Sequence, residues 1–135
     1  MKKLLLGAIL LAGSALAHHS TAIDDLSRTV TIDGAVRVFQ WSNPHVWLWV
    51  DVPAHDGKPA ATWGIESAAP VQLGRRGLKW NSFKRGDHVQ VSMHPFRSGQ
   101  NGGLLLSAKF ADGHMVSAGD PAAAALPPNP AGPPP

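Results

Sequence analysis

The chain contains no cysteine. Disulfide staples, thiolate nucleophiles and thiolate metal sites are therefore excluded, and a folded domain must be held together by its core. Past the first twelve residues there is no apolar run long enough to cross a bilayer, which takes roughly 20 residues. There is no phosphate-cradling glycine loop and no zinc-binding spacing. No spacing of serine, histidine and acid suggests a nucleophilic triad, so no catalytic constellation is identified and the chain is not read as an enzyme.

What is present begins at the N-terminus. Lys2 and Lys3 precede an apolar run from Leu4 to Ala12, and Ala15-Leu16-Ala17 forms a small-x-small site. Positive, apolar and small-residue parts in that order define a cleavable secretory signal peptide over residues 1–17. The apolar run is about nine residues, too short for a membrane anchor. A cut after Ala15 is the alternative, but only the cut after Ala17 places alanine at both recognition positions. The expected location is periplasmic or secreted, with no membrane span after cleavage. The whole chain carries 12 basic and 9 acidic residues, and loss of Lys2 and Lys3 leaves the mature chain near neutral. An exported, near-neutral chain is not expected to bind nucleic acid.

The far end is equally distinctive. Seven of the residues from Gly119 to Pro135 are proline, and no apolar periodicity runs through them, so 119–135 reads as a disordered or extended tail. Residues 18–118 remain as one small domain. Alternation marks a first strand over 29–40, with Val30, Ile32, Val36 and Val38 on one face and Gly34 implying a bulge or sharp bend. Ser42-Asn43-Pro44 is a turn. A second strand follows over 45–52, with Val46, Leu48, Val50 and Val52 on one face, and a third over 61–66. Residues 69–76 form a short helix opened by Pro70 and stopped by Gly77. Strands over 87–93 and 104–110 come next, joined by a glycine-rich loop at 98–103, with a short extension at 114–116. Three strands, a helix and two strands is the order of a small five-stranded OB-like barrel. An open β-sandwich or meander is the competing architecture.

The second strand places His45, Trp47, Trp49 and Asp51 opposite its aliphatic residues. Carrying the same parity into the first strand turns Phe39 and Trp41 outward beside them. Phe39, Trp41, Trp47 and Trp49 would then form an aromatic face, either covered by other parts of the chain or open to a ligand or partner.

Cleavage after Ala17 would give His18 a free α-amine beside its imidazole. Amine and Nδ1 can chelate one ion, and a second imidazole completes a histidine brace, an arrangement suited to Cu(II). His19 is adjacent, and His45 and His94 are the in-chain candidates for the third nitrogen. Met93 beside His94 permits a thioether site for Cu(I), although its parity is that of a core residue. Glu66 can orient a ligand histidine or pair with a base. Arg75, Arg76, Lys79, Lys84 and Arg85 form a basic cluster, read as a solvated face or as a site for an anionic ligand or lipid headgroup. Gly86-Asp87 is a turn before a strand.

Several of these segments together resemble a family of small exported bacterial proteins of unknown function. The pattern comprises His18-His19-Ser20, Asp24, Gly34-Ala35-Val36, Asn43-Pro44-His45, Trp63 to Glu66, Gly86-Asp87 and Asp112-Gly113. An aromatic residue often follows His-His-Ser in that family, whereas Thr21 stands here. The family carries no established activity. The resemblance implies that the histidine start and the Asn-Pro-His turn belong to one recurring pattern. Two functions are therefore carried forward: copper binding through His18, His19, His45 and His94, and binding of a hydrophobic ligand or envelope protein on the aromatic face.

Overall fold

The structure, a computed structural model, describes residues 23–119. The expected leader, His18 and His19, and nearly all of the proline-rich tail lie outside the described residues. Six strands and one helix follow in the order β1 (Val30–Gln40), β2 (Trp47–Val52), β3 (Ala61–Glu66), α1 (Pro70–Arg75), β4 (His88–Pro95), β5 (Gly102–Phe110) and β6 (Met115–Ser117). β1 pairs antiparallel with both β2 and β4, β2 with β3, and β4 with β5. A short parallel pairing of β3 with β5 closes the ring into a five-stranded OB-like barrel, and β6 adds to the outer edge of β5. That closing pair decides against the open sandwich.

Closure depends on backbones meeting without side chains between them. A Cβ on Gly102 would lie 2.1 Å from the Gly64 carbonyl oxygen, and one on Gly103 would lie 2.0 Å from that of His94. Both glycines therefore belong to β5 rather than to the preceding loop, where composition alone had placed them. Gly34 serves the bend in β1. It pairs with Val89 of β4, and a Cβ there would meet the Asp51 carbonyl oxygen of β2 at 2.4 Å.

The aliphatic alternation behaves as expected in β2, where Val46, Leu48, Val50 and Val52 are all buried. Met93 is fully buried as well, in keeping with the core parity of its position. The six-residue α1 is too short to persist alone. Pro70 opens it, and Gly77, at φ +89°, ends it. Leu78 N–H donates to Leu73 O and Gly77 N–H to Gly74 O, a Schellman closure that drives Leu73 and Leu78 together into the core.

One expectation is corrected. The β1–β2 register slips between Val36 and Val38, a β-bulge that reverses the parity of the rest of β1. Beyond it Val38 faces Trp49 on the outer side, and Phe39 faces Leu48 on the core side. Phe39 and Trp41 therefore pack against the core, where Phe39 meets Phe83 at 4.9 Å between ring centroids and Phe83 meets Phe110 at 5.2 Å. The bulge is held from outside the pair: Val36 N–H donates to Asp87 O, and Gly86 N–H donates to Val36 O. The Gly86-Asp87 turn, with Gly86 at φ +90° and Asp87 accepting from Lys84 N–H, thus fixes the parity switch.

The seam makes a paired prediction. Gly102→Ala, whose added methyl would meet the Gly64 carbonyl oxygen across the seam, should destabilise by about 2–3 kcal/mol, within the range for overpacked sites, lowering Tm by roughly 10 °C or more. Gly74→Ala, in α1 with nothing within 4 Å of the added methyl, should stabilise by about 0.5–1 kcal/mol. Thermal unfolding followed by circular dichroism reads both, and a Gly102→Ala chain of unchanged Tm would refute this account of closure.

Candidate functional site

His94 and Glu66 flank the seam strand β5 from its two sides. Both lie opposite Leu104, Glu66 from β3 and His94 from β4. Their Cα atoms are thus two strand spacings apart, roughly 10 Å. Ile65 and Met93 point into the core, so by alternation Glu66 and His94 point out of it. His45 stands beside Glu66, because the β2–β3 ladder runs on past the strand ends: Val46 N–H donates to Ala68 O and Ser67 N–H to Val46 O.

The two imidazoles are held alike. His45 Nδ1 is in direct contact with Glu66 Oε1, and His94 Nδ1–H donates to the Arg28 carbonyl at 2.7 Å. A proton held at Nδ1 by an acceptor leaves the lone pair of the neutral ring at Nε2, the arrangement found behind metal-ligating histidines. Glu66 is sheltered, its side chain only 14 % exposed, and its contact with His45 is the orienting role that a Glu at this position can play.

The N-terminal arm covers this row. Asp24 bridges to Phe96, Asp25 N–H donates to Pro95 O, and Arg97 N–H donates to Ile23 O, so the arm runs as a short added strand along the end of β4. Asp24 is 3 % exposed, and its Oδ1 accepts no hydrogen bond among the described residues. Ser67 Oγ is also buried without a partner among the described residues. Burial raises the Asp24 carboxyl above its usual range, and the Glu66 charge adds to the shift, while His94 and Arg97 oppose it. Nothing in the composition or periodicity marks Asp24 as buried. Its one sequence signal is its place in the family-like pattern.

The site therefore gathers Asp24, His45, Glu66 and His94. His18 and His19 lie outside the described residues, five or six positions before Asp24. Among the described residues, no three histidine, aspartate or glutamate side chains are grouped so as to hold a metal ion by themselves.

Of the expected aromatic face, Trp47 and Trp49 remain. Both are half-buried on the outer side of β2, stacked at 5.7 Å between centroids and 19° between planes. Trp49 lies over Gly64, where a Cβ would come within 2.7 Å of the indole. With the loop 96–101 they border an open groove of about 580 Å³. Trp80, 71 % exposed among the basic residues after α1, escaped the strand-based reading because it belongs to no strand.

The family of unknown function DUF6152 matches residues 7–107. The chain belongs to that family. The matched span includes His18, His19, His45 and His94. No curated protein and no solved structure matches the chain. No helix among the described residues of this DUF6152 chain is long and apolar enough to cross a membrane.

The state of Asp24 is open to test. A raised folded-state pKa means that the folded chain holds this proton more tightly than the unfolded chain. The resulting stability is complete below the ordinary value of 3.8 and is lost as pH rises through the higher folded value. At pH 7 the buried carboxylate is therefore a liability. Asp24→Asn should be more stable than the parent in urea at pH 7, and the difference should shrink toward pH 4. A difference independent of pH would contradict this reading of the carboxyl.

Proposed function

We propose that the mature chain is an exported copper-binding protein whose site is completed by its own N-terminus. The observation that carries this reading is the matched pair of imidazoles. His45 and His94 each have Nδ1 held by a protein acceptor, with the sheltered Glu66 carboxylate beside the first and the buried Asp24 carboxylate near the second. His18 would add an α-amine and an imidazole, with His19 as a further donor. Six residues of chain reach at most about 20 Å, so the amine must fall within that radius of Asp24. Three or four nitrogens with an Asp24 oxygen in support form a donor set for Cu(II). Because the described side chains do not make a metal site alone, the reading requires the terminal amine. It therefore also requires cleavage after Ala17 and export to the periplasm.

Titration of the correctly processed chain with Cu(II) tests this directly. An added N-terminal alanine should weaken binding by at least tenfold, about 1.4 kcal/mol. His45→Ala and His94→Ala should do the same. Glu66→Gln should cost about 10- to 100-fold, the usual effect of removing a partner that orients a ligand histidine. Equal affinity for the processed and alanine-extended chains would eliminate the proposal.

A second reading rests on a separate observation, the stacked Trp47 and Trp49 beside their groove. Here the chain is an interaction module that offers a narrow aromatic surface to a hydrophobic ligand or an envelope protein. In a Trp80→Phe, Trp63→Phe background, acrylamide should still quench part of the tryptophan emission, and Trp47→Phe with Trp49→Phe should remove most of that part. Emission shielded from acrylamide throughout would leave this surface without a role.

A further inference from the structure

A different region of the barrel carries an inference that does not rest on the metal reading. Between the start of β1, the β2–β3 turn and the loop 96–101 lies a cavity of about 600 Å³. That is within the usual range for small-molecule sites, roughly 300–1,000 Å³. Its apolar part consists of core residues that reach the surface: Val30 and Trp63 are partly buried against the core, and Ile32 is 7 % exposed. Trp63 faces Val50 across the β2–β3 ladder, so its indole is anchored on the core side, away from Trp47 and Trp49.

The rim carries an excess of positive charge. Arg28 and Lys58 line the cavity, and neither side chain makes an ion pair among the described residues. Asp33 is the acid in the lining, and its carboxylate accepts the Gln90 side-chain amide at 3.3 Å. His55, also on the rim, contacts the Pro53 carbonyl through Nδ1 at 3.1 Å and brings no negative charge. An apolar floor with two cations against one carboxylate at its edge complements a molecule with an apolar body and one anionic end. We infer that this cavity binds a small amphipathic anion, its hydrophobic part on Trp63, Val30 and Ile32 and its carboxylate or sulfonate on Arg28 and Lys58.

Two fluorescent probes that differ only in the charge separate the terms. 8-Anilinonaphthalene-1-sulfonate carries the anion, and N-phenyl-1-naphthylamine is the same ring system without it. The sulfonate should bind the full mature chain about tenfold more tightly than the neutral amine. Arg28→Gln with Lys58→Gln should remove that preference and leave the affinity for the neutral probe unchanged. The backbone carbonyl of residue 28 survives this substitution, so the hydrogen bond to His94 is preserved. Trp63→Ala should weaken both probes. An unchanged Tm of the double variant distinguishes loss of the site from loss of the fold, because the sulfonate probe also binds partly unfolded chains. Equal affinity for the two probes would overturn the inference. So would binding that is lost in Trp80→Ala but kept in Trp63→Ala, since it would place the probe on the basic cluster after α1.

Discussion

The arrangement of this barrel depends on one close approach, the parallel contact of β3 with β5. Gly102 permits it, since a Cβ there would lie 2.1 Å from the Gly64 carbonyl oxygen, while Gly103 lets the same strand approach β4 at the His94 carbonyl. The contact buries the ends of both strands and turns a sheet with two free edges into a ring. It also sets the register of Glu66, Leu104 and His94 in one row. The candidate metal donors are therefore positioned by backbone geometry at the seam. The loop 96–101, which leads into that seam, separates the Trp47–Trp49 groove from the cavity at Trp63.

Much of this architecture was legible in the alternation of apolar residues, because one face of each strand must leave water. β2 and β3 follow that rule along their whole length. β1 follows it only as far as Val36. The bulge beyond it is invisible to periodicity, since it is created by hydrogen bonds to a turn fifty residues later in the chain. Strict alternation accordingly placed Phe39 and Trp41 on the outer face, whereas they complete the core beside Phe83. The glycines at 102 and 103 misled in the opposite sense. Glycine usually signals a loop, but here it allows a strand to lie between two others.

The candidate site shows a similar division. His45 and His94 were legible because they sit at strand ends next to prolines. Glu66 was legible only as one possibility among two. Asp24 was not legible as a buried group. An aspartate near a chain terminus normally faces solvent, and its burial here follows from backbone bonds between the arm and Pro95, Phe96 and Arg97. Those bonds are long-range, and sequence patterns record local periodicity far better than distant pairing.

That arm joins the separate parts of the molecule. Asp24 covers the row of donors, and the Arg28 carbonyl fixes the His94 ring while the Arg28 side chain reaches the cavity. The segment 23–28 therefore touches both proposed sites through different atoms. The two can be separated chemically, since exchanging the Arg28 side chain leaves its carbonyl in place. Mechanically they are linked: any shift of the arm that moves the 28 carbonyl also alters the hold on His94 Nδ1. An arm bonded along the end of β4 can transmit such a shift only by breaking its bonds to Pro95 and Arg97. The arm's bonds to the end of β4 thus limit how freely one site can influence the other.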